Sequence, residues 1–142
     1  MLTGERILIV EDEALIGVLL EDSVREAGAA DVVVATTAGT ALRAVGVQKT
    51  TLAILDVNLG TETSLSVAEK LKRRGVPFVY HTARCAADLH GWPDAPLVRK
   101  PDLDGRLMAT LTRLQTSTAD DAPPTRNSAR ESGTGRVRRA GR

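Results

Sequence analysis

The sequence predicts an α/β fold, a doubly wound five-stranded parallel sheet with helices on both faces. Two observations predict it. Short apolar runs alternate with amphipathic segments five times between residues 5 and 116. The runs are continuous rather than alternately apolar and polar, as strands covered on both faces require. At 142 residues, 42% hydrophobic and 26% charged, the chain has the composition of one globular domain plus a tail.

Each element has its own signature. "RILIV" (6–10) is a β-branched and leucine run, a first strand. In "EALIGVLLEDSVREAG", Leu15, Leu19 and Val24, flanked by Ile16 and Leu20, are expected on the inner side of a helix that Gly28 ends. "DVVVA" (31–35) is a second strand, and Thr37 is placed to cap a helix over "AGTALRAVG". "LAILD" is a third strand. "SLSVAEKLKRRG" makes a third helix, with Leu65, Ala68 and Leu71 apolar, basic residues in its last turn and Gly75 beyond it. "VPFVYH" and the short "PLVRK" are the fourth and fifth strands, and "DGRLMATLTRLQ" is a final helix with Leu107, Leu111 and Leu114 in line. Between Thr82 and Lys100 only 17 residues hold the fourth helix, a "GWPDAP" loop and the fifth strand. That helix is therefore expected to be short and weak, over about Arg84 to His90.

The domain is expected to span 1–116, followed by a disordered basic tail over 117–142. The tail has six arginines against three acids, +3, which leaves −2 on the remainder. It has almost no large apolar side chain with which to offset the entropy of ordering. It also lacks interleaved aromatics or any reading element, so nucleic-acid binding is not expected. No apolar stretch approaches the roughly 18 residues of a membrane span, and acids stand where a signal peptide would be apolar, so a cytoplasmic protein is expected. The one cysteine, Cys85, is read as a small buried or half-buried thiol. His81, Cys85 and His90 match no zinc spacing and lack a fourth ligand. Trp92 before Pro93 reads as a loop anchor. Glycine-rich nucleotide motifs are absent.

In a sheet of this kind the site lies beyond the carboxyl ends of the strands. There the first strand ends in Glu11-Asp12-Glu13, the third in Asp56, the fourth in His81-Thr82 and the fifth in Arg99-Lys100-Pro101. Neighbouring strands lie about 4.8 Å apart, so Glu11, Asp12 and Asp56 should come close together. Carboxylates held that close need a cation among them. A hard divalent ion and the Lys100 ammonium both qualify. Mg²⁺ suits two or three protein oxygens, because water and phosphate oxygens complete its shell. An acidic metal pocket, a hydroxyl and a lysine suit phosphoryl transfer to a carboxylate. Asp56 would attack as nucleophile, Lys100 would contact the transferred group, and Thr82 would donate to its oxygens.

With "VEDE", "LDVNLG", "VYHTA" and "RKP" in that order, residues 6–115 resemble the receiver domain of two-component response regulators, a flavodoxin-like fold. The resemblance implies that Asp56 is the phosphoacceptor and that Glu11 and Asp12 hold Mg²⁺, Asp12 most directly. It makes Asn58 a metal ligand through its backbone carbonyl, Thr82 the switch hydroxyl and Lys100 the invariant lysine, joined to Pro101 by a cis bond. It implies a phosphorelay signalling protein whose partners are a sensor histidine kinase and a histidine phosphotransfer protein or other target; at 142 residues no DNA-binding output domain is expected, so phosphorylation would switch a protein-binding surface, or pass on or drain phosphate. Its chemistry would be confined to self-phosphorylation and slow autodephosphorylation. "PFVYHTAR" further resembles, through Phe78, Tyr80 and Thr82, the fourth strand of stand-alone receivers that partner HWE or HisKA_2 kinases.

The chain departs from the receiver pattern in places. Leu97 stands where many receivers carry an inward-turning Tyr or Phe. The segment from Ala83 to Ala95 is expected to be loosely ordered without phosphate and to tighten when Thr82 moves. The final helix, with Leu103, Leu107 and Leu111 near Arg106 and Arg113, is expected to offer a partner face. Two rivals remain. A pseudo-receiver, never phosphorylated and acting as a binding module, would not need Glu11, Asp12, Asp56, Thr82 and Lys100 together. A haloacid-dehalogenase-type hydrolase needs a second acid two residues after the nucleophile, where this chain has Asn58.

Overall fold

The computed structural model describes residues 1–121, with side chains through Gln115. Its elements are β1 (Arg6–Val10), α1 (Ala14–Glu26), β2 (Asp31–Ala35), α2 (Ala38–Val47), β3 (Leu52–Leu55), β4 (Asn58–Leu59), β5 (Glu62–Thr63), α3 (Leu65–Arg73), β6 (Phe78–Thr82), β7 (Leu97–Arg99) and α4 (Arg106–Asp121). The expected tail lies outside the described residues from 122 onward, while α4 continues to Asp121.

Five strands form one parallel sheet in the order β2-β1-β3-β6-β7. The chain winds outward from β1 and β3 in both directions, which opens a crevice at their carboxyl ends. Period-two alternation divides the core. Ile7, Ile9, Leu52, Ile54, Val79 and Val98 face α1 and α4, whereas Leu8, Val10, Ala53, Leu55, Phe78 and Tyr80 face α2 and α3. With both sheet faces covered, four of the five residues of β1 and all of β3 and β6 are buried, which is why these strands read as continuous apolar runs.

Helix α1 departs from its expected orientation. Gly17 and Val24 are its buried residues, with Ile16 and Leu20 half-buried, whereas Leu15 is 72% and Leu19 56% exposed. Leu15 and Leu19 each stand two positions from Gly17, which in a helix turns them to the opposite side. Gly17 decides the matter because α1 crosses β2 there: a Cβ at this position would meet Val34 Cγ1 at 3.2 Å. Helix α2 begins as its sequence predicts, with Thr37 and Thr40 forming a reciprocal capping box. Helix α4 starts on Asp102, whose carboxylate accepts from the Arg106 and Leu107 amides, both at 3.0 Å. Its Leu107 and Leu111 are 3% and 0% exposed, so the leucine line belongs to the core and only Leu103 is exposed. The expected partner face on these leucines is thereby corrected, since a helix over a sheet must bury its apolar stripe.

Between β6 and β7 the fourth helix shrinks to one 3₁₀ turn, Ala86–Leu89. The segment is held by aromatic packing instead. Tyr80 lies edge-on to Phe78 at 5.3 Å and to Trp92 at 5.9 Å, and its hydroxyl donates to the Pro93 carbonyl at 2.6 Å. Trp92 thus anchors the loop. Cys85 is exposed, contrary to the buried thiol expected, because it opens this helix-poor segment; its Sγ lies 3.3 Å from Asp88 Oδ2.

Candidate functional site

Parallel pairing carries the sequence-predicted residues to one edge. Val10 pairs with Leu55 and Thr82 with Arg99, so Glu11, Asp56 and Lys100 each follow immediately on a paired strand end. Backbone bonds continue past those ends: the Asp56 amide donates to the Val10 carbonyl at 2.9 Å, and the Lys100 amide to the Thr82 carbonyl at 2.9 Å. The Lys100–Pro101 bond is cis.

The side chains converge there. Lys100 Nζ lies 2.8 Å from Glu11 Oε1 and 2.8 Å from Asp56 Oδ2. Carboxylate oxygens of Glu11, Asp12 and Asp56 fall within 4.8 Å of one another, the sole cluster of three potential metal ligands among the described residues. Glu11 is engaged at both oxygens, because Oε2 also accepts from the Glu13 amide at 3.2 Å. Asp12, by contrast, is exposed. His81, Cys85 and His90 are not brought together as ligands.

Burial pushes the Glu11 carboxyl above its ordinary pKa, against the opposing pull of Lys100. Burial pulls the Lys100 ammonium down, but its hydrogen bonds to Asp56 and Glu11 outweigh this and hold its pKa above the usual lysine value. Lys100 is therefore a permanent cation at neutral pH. His81, buried beneath this edge, is held below its ordinary pKa first by burial and then by Lys100, so it is neutral.

Thr82 is buried at 1% exposure, and its Oγ1 accepts from the Arg84 amide at 3.3 Å. Because the hydroxyl oxygen accepts there, its O–H remains available as a donor. Asn58 opens a two-stranded ribbon of β4 and β5, in register Asn58 with Thr63 and Leu59 with Glu62. Sequence reasoning missed this ribbon. Its signal was the pair Gly60-Thr61, with Gly first as a two-residue hairpin turn favours; Gly60 has φ +67°. The aromatic absent at Leu97 has a neighbour in its place, since Tyr80 pairs with Leu97 across β6 and β7.

The donors suit a hard cation: the cluster offers only carboxylate oxygens, one of them exposed, which leaves room for water and phosphate oxygens. Beside it, between α1 and α4, runs a cleft of about 570 Å³ lined by Leu19, Leu20, His81, Pro101, Leu107 and Met108.

No family model and no curated protein matches the sequence. Solved structures do. The receiver domain of the PhyR response regulator of Erythrobacter litoralis is 30% identical with a TM-score of 0.71, over 80% of this chain and 92% of that one. This chain belongs to the response regulator receiver family. Another receiver-family structure, the response regulator TrrA of Thermotoga maritima in complex with Mg²⁺ and BeF, is 27% identical with a TM-score of 0.69, over 78% of this chain and 98% of that one. A CheY-like receiver domain from Methanospirillum hungatei is 25% identical with a TM-score of 0.65, over 81% and 99%. The receiver fold accounts for the five-stranded parallel sheet and for the gathering of acids and lysine at one edge. Among the described residues of this receiver no helix is long and apolar enough to cross a membrane.

Proposed function

We propose that this receiver is a cytoplasmic phosphorelay protein that takes a phosphoryl group onto Asp56 from the phosphohistidine of a sensor kinase, in a Mg²⁺-dependent step. The observation that carries the reading is Lys100, held at 2.8 Å from both Glu11 and Asp56 with Asp12 alongside. Asp12, Asp56 and the Asn58 carbonyl would hold Mg²⁺, with Glu11 orienting the site. Bound there, Mg²⁺ would neutralise charge on the transferred phosphoryl oxygens.

The chain's own groups do the rest. An Asp56 oxygen attacks phosphorus as the nitrogen–phosphorus bond of the donor breaks, and the freed imidazole keeps the electron pair. Lys100 then divides its donors between Glu11 and the new phosphoryl oxygens. The Thr82 O–H donates to another of them, which couples the phosphoryl group to the segment that begins at Ala83. Asn58 supplies no general acid, so the acyl phosphate is stored and hydrolysed slowly rather than turned over.

A partner surface is at hand. Leu19, 56% exposed, lines the α1–α4 cleft, and Leu15, one turn earlier on the same side of α1, is 72% exposed; this apolar edge fits a helix of a kinase or phosphotransfer protein. The pattern of Phe78, Tyr80 and Thr82 supports a kinase of the HWE or HisKA_2 class. Incubation with acetyl phosphate and Mg²⁺, followed by intact mass measurement, tests the reading. The expected result is one added phosphoryl group, lost in Asp56→Asn; no adduct with any small donor would favour the pseudo-receiver.

A further inference from the structure

We infer that Glu62 is a positioning residue for the metal-binding loop; this rests on the Mg²⁺ reading of the same site. Glu62 lies outside the acidic cluster, on β5, and its carboxylate turns away to the start of α2. There Oε2 accepts from the Ala38 amide at 3.1 Å. Ala38 opens α2, and its amide is among those that a helix cannot satisfy internally. The negative carboxylate also meets the positive end of the helix.

The contact matters because of what it closes. The Glu11 amide donates to the Ala35 carbonyl at 3.0 Å, which ties the acidic end of β1 to the turn leading into α2. That turn is tied by Glu62 to the ribbon, the ribbon register places Glu62 opposite Leu59, and Asn58 is the next residue back toward Asp56. The ribbon tip reaches the cluster itself, since a Cβ at Gly60 would lie 4.0 Å from Asp12 Oδ2. One ring therefore runs from Glu11 through Ala35, Ala38, Glu62 and Asn58 to Asp56. Within it, the Ala38–Glu62 bond is a side-chain link between α2 and the ribbon. Leu59 is buried and fixes the near strand, but β5 is exposed, so this bond stops the far strand, whose Thr63 stands opposite Asn58, from swinging away.

The test measures divalent-ion binding to the unphosphorylated full chain, by calorimetry with Mg²⁺ and by Mn²⁺ electron paramagnetic resonance. Glu62→Ala is expected to weaken both about tenfold, the lower end for losing a group that orients a ligand rather than a ligand itself. Glu62→Gln keeps an acceptor for the Ala38 amide and should recover most of the affinity. Thr37→Ala is the control: it weakens the start of α2 by removing the capping box but leaves Glu62 in place, so its ion affinity should stay at the wild-type value. Wild-type affinity in Glu62→Ala would overturn the inference. Equal loss in Thr37→Ala would also overturn it, by showing that helix stability alone is responsible. If Glu62→Ala fails to fold, Glu62→Asp decides, since a shortened anchor should weaken binding and unchanged binding refutes the role. A wild-type chain that binds neither ion would instead refute the Mg²⁺ reading beneath it.

Discussion

Replacing Lys100 by Met should expose the electrostatic arrangement of the site through its dependence on pH. The ammonium bridges a Glu11 side chain that is 1% exposed and an Asp56 side chain that is 11% exposed, and is itself 16% exposed. Removing one partner of a buried ion pair costs about 3 to 5 kcal/mol, and partial solvent contact favours the lower end, about 3. For a domain of this size that corresponds to roughly 12 °C in melting temperature. The loss should vary with pH in two directions. The Lys100 pKa is raised in the fold, so its stabilisation is fully present below the unfolded value of 10.5 and fades as pH rises through the folded value. The Glu11 pKa is also raised, from an ordinary 4.5, so its ionisation is a cost that appears as pH rises through the folded value. Without Lys100 that pKa climbs further, and acid relieves the variant by protonating Glu11. The gap in melting temperature should therefore be widest near neutral pH and narrow both toward acid and above 10.5. Mg²⁺ should also raise the melting temperature of the variant more than that of the wild type, because no ammonium competes for the acids. Thermal melts followed by circular dichroism across this range measure all three effects. A neutral-pH shift under about 2 °C, or two melting curves that run parallel with pH, would refute the argument.

Four further outcomes follow from particular residues. The Tyr80 phenol, pushed by burial from 10.0 to about 12, should show a tyrosinate absorbance midpoint near the higher value; stability tied to the neutral phenol holds below the lower value and is lost toward the higher. Tyr80→Phe deletes the bond to the Pro93 carbonyl and should cost about 1 kcal/mol in urea denaturation. Asp102→Ala removes both caps of α4 and should cost about 1 to 2 kcal/mol, read from the same transition midpoint. The double change Leu15→Ser and Leu19→Ser should alter stability by no more than about 0.5 kcal/mol, since both side chains are exposed. It should slow phosphorylation by a kinase yet leave acetyl phosphate labelling unchanged.

The sheet was legible because burial on both faces leaves an unbroken apolar run, as in "RILIV" and "LAILD". The edge residues were legible for a related reason: in a parallel sheet a polar residue that ends such a run must stand at the crevice. Helix α1 was harder to read, since Leu15, Ile16, Val18, Leu19 and Leu20 surround most of its axis and periodicity alone cannot choose a face. The close approach at Gly17 chose it. The β4–β5 ribbon was hidden because strands of two residues carry no period. Glu62 was hidden because its partner lies 24 positions away, at a backbone amide that no side-chain pattern announces. Cys85 was misjudged from residue type, when the deciding fact was the shortness of its segment.

The aromatic column beside Thr82 has a practical consequence. Phe78, Tyr80 and Trp92 are the chain's entire aromatic complement, and edge-on contacts join them in one row through Tyr80. The near-ultraviolet signature of this protein therefore originates at one place, on the strand that ends in Thr82 and the strap that follows it. Intrinsic fluorescence is already a site-specific label there, without an added dye or a substitution. A change in Trp92 emission on treatment with beryllofluoride would report rearrangement of that strap from within.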